Sequence, residues 1–207
     1  MYLCLDLSST CTGYSKFSTD GKLLKYDRII PDVNLDPLFK LHSVVNQVKE
    51  LYKDVDSLVI EGIFLGHFAG KSNVTTFEYL AKLAGAVIYT WVAEKSKLPV
   101  IYKASQARKL AGIKGTSQKA EVQLWVIREY GFANSQDIEE WQAVMDSLNG
   151  EFLSKEITSN QFKYRSGKLS EIIDEATGIG EDIADSIVLG RAYLNGGKND
   201  RPTENNL

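Results

Sequence analysis

The sequence predicts an α/β fold, a mixed sheet of three antiparallel strands continued by parallel strands and flanked by helices. Two observations predict it. Three short, mostly apolar runs follow one another from Tyr2 to about Ile30 with only tight turns between them. From Leu38 onward, strand-like runs alternate with stretches of helical periodicity, and past Tyr102 only helices follow.

Tyr2–Leu7 is apolar apart from Asp6 near its end and reads as a buried strand. Ser8–Thr12 is small and polar, a turn, and Gly13–Ser18 is the second strand. Asp20-Gly21 is a hairpin signal leading into a third strand through about Ile30. Pro31–Pro37 is loop. Leu38, Leu41, Val44, Val45, Val48 and Leu51 recur at helical spacing, so a helix runs to about Lys53. Leu58-Val59-Ile60 is a compact strand ending at Glu61, and Asn73 to about Glu94 is a long helix. Pro99–Tyr102 is the next strand, Ser105–Leu110 a short helix, and Ser117 the N-cap of a helix to about Tyr130. Between 133 and 178 only Ile138–Leu148 and Ser170–Glu175 read as helical, whereas Glu181–Tyr193 is a clear helix. The expected organisation is one domain over 1–195 with an insertion at about 133–178 and a flexible tail at 196–207.

Of the 207 residues 43% are hydrophobic, enough for a substantial core. Two cysteines, Cys4 and Cys11, make neither a disulfide framework nor a four-ligand zinc site, so a reducing cytoplasm is expected. Met1–Asp6 lacks the basic region of a signal peptide, and no apolar run approaches the roughly 18 residues of a membrane span. The net charge is −3, but its distribution is uneven. Lys95, Lys97, Lys103, Arg108, Lys109, Lys114 and Lys119 follow one another without an acidic residue. Asp137 to Glu156 then carries six acids against Lys155. A basic stretch of this kind is either a solvated surface or a patch facing a polyanion.

Asp6 and Glu61 each close an apolar strand, and Asp182 and Asp185 share one face of an otherwise apolar helix. A buried, unpaired carboxylate costs several kcal/mol, so each needs a cation, a partner or a solvent opening. Strand ends of an open α/β sheet converge on a crevice, and a helix laid across them would join the four acids. Such hard oxygen donors suit Mg²⁺ or Mn²⁺ rather than zinc. Two such ions about 4 Å apart can activate a water and stabilise the leaving oxygen of a phosphodiester. Taken singly, each acid has another reading: turn chemistry with the following serines for Asp6, the helix dipole for Asp182, and a lysine partner for Asp185.

These residues resemble, in order, four motifs of the RuvC family of Holliday junction resolvases. Asp6-Leu7-Ser8-Ser9-Thr10-Cys11-Thr12-Gly13-Tyr14 resembles its opening strand and hairpin, and Ile60-Glu61-Gly62-Ile63-Phe64 its second acidic motif. Gln106-Ala107-Arg108 with Gly115-Thr116-Ser117-Gln118-Lys119 resembles its basic segment, and Asp182-Ile183-Ala184-Asp185-Ser186-Ile187 its closing acidic helix. The resemblance implies a ribonuclease H-like fold, a homodimer, and Mg²⁺-dependent cleavage of four-way or otherwise branched DNA in a bacterial or phage-infected cytoplasm. It implies metal ligation by Asp6, Glu61, Asp182 and Asp185, and the expected mechanism is hydrolysis by a metal-bound water positioned by Asp6 and Asp185 and flanked by Glu61 and Asp182. Lys119 would lie near the scissile phosphate, and Arg108 matches another of the family's basic positions. Phe64 would meet bases at the junction centre, its other reading being core packing. Lys103, Lys109 and Lys114 complete the expected DNA-binding set.

The chain departs from the bacterial enzymes in Ser8, which replaces a glycine, in the long stretch from Phe132 to Gly180, and in a closing helix without histidine. It is nearer to divergent phage members. Competing readings are a ribonuclease H- or transposase-like nuclease with another substrate, a non-catalytic junction-binding protein, and, more distantly, an actin/sugar-kinase-fold ATPase. The last needs a second phosphate hairpin, and the chain shows no second copy.

Overall fold

A computed structural model describes residues 1–63 and 74–196. Five strands form one sheet: β1 (Tyr2–Asp6), β2 (Thr12–Phe17), β3 (Leu23–Ile29), β4 (Ser57–Glu61) and β5 (Val100–Tyr102). Their spatial order is β3-β2-β1-β4-β5. β1, β2 and β3 meander antiparallel, while β4 and β5 run parallel to β1, as the sequence predicts. Parallel neighbours require crossovers, and α1 (Pro37–Glu50) and α2 (Val74–Lys95) provide them. α1 begins where Asp36 accepts a hydrogen bond from the Leu38 backbone N–H at 2.9 Å, just ahead of Pro37.

Period-two alternation divides the core. Leu3, Leu5, Leu58 and Ile60 face one way, against Val44 and Val48 of α1 and Leu83, Val87 and Trp91 of α2. Tyr2, Cys4 and Val59 face the other way, against α4 (Lys119–Tyr130) and α7 (Glu181–Gly196). α3 (Ala104–Leu110) packs beside α7.

Two sequence expectations change. α4 begins at Lys119 after Gln118, not at a Ser117 cap, and the Glu121 carboxylate accepts the Gln118 backbone N–H at 2.6 Å. The stretch that read as two short helical pieces folds as two full helices, α5 (Ser135–Leu153) and α6 (Ser159–Thr177). Asn134 caps α5 by accepting the Asp137 N–H at 2.9 Å. Thr158 and Gln161 cap α6 reciprocally, and Gly178 closes it in the left-handed conformation at φ 71°. Trp141, Met145 and Leu148 of α5 join Phe162, Leu169 and Ile173 of α6 in the core that includes α4. Residues 197–207, expected as a flexible tail, lie outside the described residues. Among the described residues no helix is long and apolar enough to cross a membrane.

Candidate active site

Register brings the first two acids together. Leu5 pairs with Ile60 across the parallel β1–β4 ladder, so Asp6 and Glu61 stand one step further on neighbouring strands, roughly 4.8 Å apart in backbone. Alternation turns Asp6 to the side of Tyr2 and Cys4, and Glu61 to the side of Val59, which is the side α7 covers.

α7 lies along β2 in matched steps. Four helical residues advance about 6 Å and two strand residues about 6.8 Å, so Asp182, Ser186 and Gly190 meet Gly13, Ser15 and Phe17 in turn. Gly13 has no side chain, and a Cβ there would collide with the Asp182 backbone. The Ser15 hydroxyl donates to the Ser186 carbonyl at 2.8 Å. Gly190 leaves room for the Phe17 ring, and the Tyr2 hydroxyl donates to the Gly190 carbonyl at 3.2 Å. Asp6 itself pairs with Gly13, so the start of α7 sits directly over the end of β1. Gly13→Ala is expected to lift α7 from β2 and cost about 1–3 kcal/mol. An unchanged denaturation midpoint would contradict this packing.

The joint between α6 and α7 is fixed from two sides. Arg28 of β3 makes a bidentate pair with Asp174 at 2.8 and 3.1 Å and donates to the Gly178 carbonyl at 3.3 Å. Buried Gln123 donates to the carbonyls of Ile179 at 2.8 Å and Ser170 at 3.3 Å. The start of α7, which carries Asp182, is thereby held in place.

The four acids influence one another. Burial, then Glu61, Asp185 and Asp182, pushes the Asp6 carboxyl well above the usual carboxylate range, and Arg108 opposes this. Glu61 is pushed up to about 7, by burial first and then by Asp185. Burial also raises Asp185, with Arg108 opposing it, and raises Asp182, opposed by a hydrogen bond from the Cys11 thiol. The Cys11 thiol is itself pushed up to about 12, by burial and then by Asp182.

Among the described residues no three His, Cys, Asp or Glu side chains are already drawn together as a metal-ligand set. What the four acids share is a region of excess negative charge. Hard carboxylate oxygens whose charges raise one another's proton affinity are the donor chemistry a divalent cation satisfies, and Mg²⁺ and Mn²⁺ fit it.

The basic residues divide into two groups. Lys103, Lys109, Lys114 and Lys119 are exposed around α3 and the start of α4. Lys119 pairs with Glu181, whose carboxylate also accepts from Ser170 at 3.4 Å. Arg108 turns inward, donating to Asp185 at 3.2 Å and to the Ser117 carbonyl at 2.9 Å. A cavity of about 450 Å³ opens beside Glu61, lined also by Gly62, Lys103, Ala104, Ser105, Arg108 and Gly115. Phe64 lies outside the described residues. The sequence reading missed Cys11, Arg28, Gln123 and Glu181. Of these, Cys11, inside the first motif, and Glu181, adjoining Asp182 in the chain, were the two a motif could have suggested.

No protein-family model and no curated protein sequence matches the chain. Solved structures do. RuvC of Thermus thermophilus superposes with a TM-score of 0.57 at 14% identity, covering 95% of this chain and 95% of that one. T. thermophilus RuvC in complex with a Holliday junction substrate gives 0.59 at 12% identity, covering 95% of this chain and 94% of that one. With its three antiparallel strands, two parallel strands and flanking helices, the chain has the RuvC-like, ribonuclease H-like fold.

Proposed function

We propose that the protein is a metal-dependent, structure-selective endonuclease that hydrolyses phosphodiester bonds in branched DNA, four-way junctions above all. The observation that carries the reading is the meeting of Asp6, Glu61 and the start of α7 at one end of the sheet, where the charges of Glu61, Asp185 and Asp182 reach Asp6. The fold shared with a RuvC whose structure holds a Holliday junction substrate supports the choice of DNA.

Asp6, Glu61, Asp182 and Asp185 would hold Mg²⁺, or Mn²⁺ in its place. Such ions, when bound, supply Lewis-acid charge and ease deprotonation of an attacking water. The chain's own groups do the rest. Asp6, fixed by its strand, and Asp185, fixed on α7, orient the water, and Glu61 and Asp182 flank them. Lys119 is exposed at the first turn of α4 and offsets charge on the transferring phosphoryl group. Lys103, Lys109 and Lys114 follow the DNA backbone, Arg108 adds its charge within the cleft, and Phe64 stacks against an unpaired base. Residues 1–195 serve as one nuclease domain with α5 and α6 as an insertion, and the enzyme acts in the cytoplasm.

A two-fold junction calls for a two-fold enzyme. The outer face of α2, with Ala81, Gly85 and Tyr89 exposed, is the surface through which two copies pair. Sedimentation is expected to show a dimer with junction DNA, and a monomer at all working concentrations would count against pairing.

The deciding experiment incubates the protein with linear, flap, three-way and four-way DNAs, with and without MgCl₂. Cleavage of branched substrates in Mg²⁺ alone is expected. Equal cutting of linear duplex would favour a nuclease with another substrate, and binding without cutting a non-catalytic junction protein. Neutralising four phosphates per protomer, and so eight per dimer, should give a slope of about −7 for log affinity against log salt, and a flat response would remove the lysine rim from the interface.

A further inference from the structure

Among the described residues, Arg108 is the half-buried cation beside the acids, and it is held in a half-satisfied way. The Arg108 side chain is 16% exposed. Its Nη2 donates to one oxygen of Asp185 at 3.2 Å, and its Nη1 donates to the Ser117 carbonyl at 2.9 Å. Its Nε is buried without a hydrogen-bond partner among the described residues. A carboxylate can accept a guanidinium through two parallel bonds, and here only one forms, at a long distance for a charged pair. Arg28 shows the contrast within the same molecule, since it grips Asp174 through both oxygens.

The surroundings explain the arrangement. The positive charge of Arg108 opposes the raised proton affinity of Asp6, Glu61 and Asp185 alike, so one guanidinium serves as counter-charge for three acids at once. The cavity of about 450 Å³ that Arg108 lines, between Glu61 and Gly115, gives the side chain room to leave Asp185. A divalent cation at the carboxylates needs the same oxygens of Asp185, and two cations cannot share them without repulsion.

We infer that Arg108 is a place-holding cation: it neutralises and holds Asp185 while the carboxylates carry no metal, and turns into the adjoining cavity when a divalent ion takes Asp185. Arg108 is thus a positioning residue that sets how readily metal binds. The inference rests on the nuclease reading, in which these acids are metal ligands. It makes Arg108 a competitor of the ion, the opposite of a merely structural ion pair, whose loss would loosen the site and weaken metal binding.

The test is calorimetric titration of the whole protein with MnCl₂, without DNA, for the native chain and Arg108→Gln. Removal of the competitor is expected to tighten Mn²⁺ binding about fivefold or more, the ordinary range of coupling between two sites. Equal or weaker binding by folded Arg108→Gln overturns the inference. The native chain carries a second measurement that needs no stable variant. In nitrogen-resolved NMR spectra titrated with MgCl₂, the Arg108 guanidinium resonances, assigned by their absence in Arg108→Lys, should shift with the midpoint of metal binding. Resonances that stay fixed through saturation overturn the inference while leaving the nuclease reading intact. Absence of any metal binding in the native chain overturns both.

Discussion

Asp6→Asn is expected to reduce cleavage of a four-way junction in Mg²⁺ by about a thousandfold while leaving junction binding nearly intact. Asparagine keeps the size and hydrogen-bonding shape of the side chain but removes the charge that would hold a metal ion. Metal catalysis of phosphoryl chemistry supplies several kcal/mol, and each 1.4 kcal/mol or so is tenfold in rate. Binding survives because the exposed lysines at 103, 109, 114 and 119 are untouched. The substitution also relieves repulsion, since Asp6 is pressed by Glu61, Asp185 and Asp182. The variant should therefore be more stable than the native chain above neutral pH without metal. A gel assay and a thermal melt read both outcomes, and retained full cleavage would remove Asp6 from the site.

Stability of the metal-free protein is expected to fall as pH rises through the carboxylate range. Glu61 has an ordinary value of 4.5 and sits at about 7 in the folded chain. Between those values the folded state keeps a proton that the unfolded state has lost, so folding is favoured at the acid end. That contribution is complete below about pH 4.5 and gone above about pH 7. At 1.36 kcal/mol per pH unit it amounts to about 3 kcal/mol for Glu61 alone. Asp6 and Asp185 act in the same direction. Chemical denaturation of the native chain and Glu61→Gln at pH 5 and pH 8 isolates the effect: the variant should lose less stability than the native chain. Saturating MgCl₂ at pH 8 should restore what the native chain loses, because an ion that binds only the folded state stabilises it. A native chain no more pH-sensitive than Glu61→Gln would show that folding does not raise the proton affinity of Glu61.

The strands, their succession along the chain and the four acidic positions could be picked out because each rests on a local signal. Asp6 and Glu61 each end an apolar run, and Asp182 and Asp185 interrupt an apolar helix face. Gly13 was visible as a letter, but its reason, the contact with the Asp182 backbone, joins positions 169 apart and has no local trace. Arg108 read as one of a run of surface charges, yet it alone turns inward, because its partner Asp185 is distant in sequence. Helices α5 and α6 were underestimated because Asn149-Gly150 and Gly167 interrupt their periodicity. Packing against α4 carries both helices through those interruptions. Ser117 is a natural capping residue, but its carbonyl is engaged by Arg108, and the cap falls one residue later, at Gln118 with its Glu121 partner.

The most direct measurement is anomalous diffraction from a crystal soaked in MnCl₂. The account predicts a manganese peak within bonding reach of Asp6, Glu61, Asp182 and Asp185, lost in Asp6→Asn. Saturating Mn²⁺ that leaves this end of the sheet empty, or binds elsewhere on the protein, would contradict it.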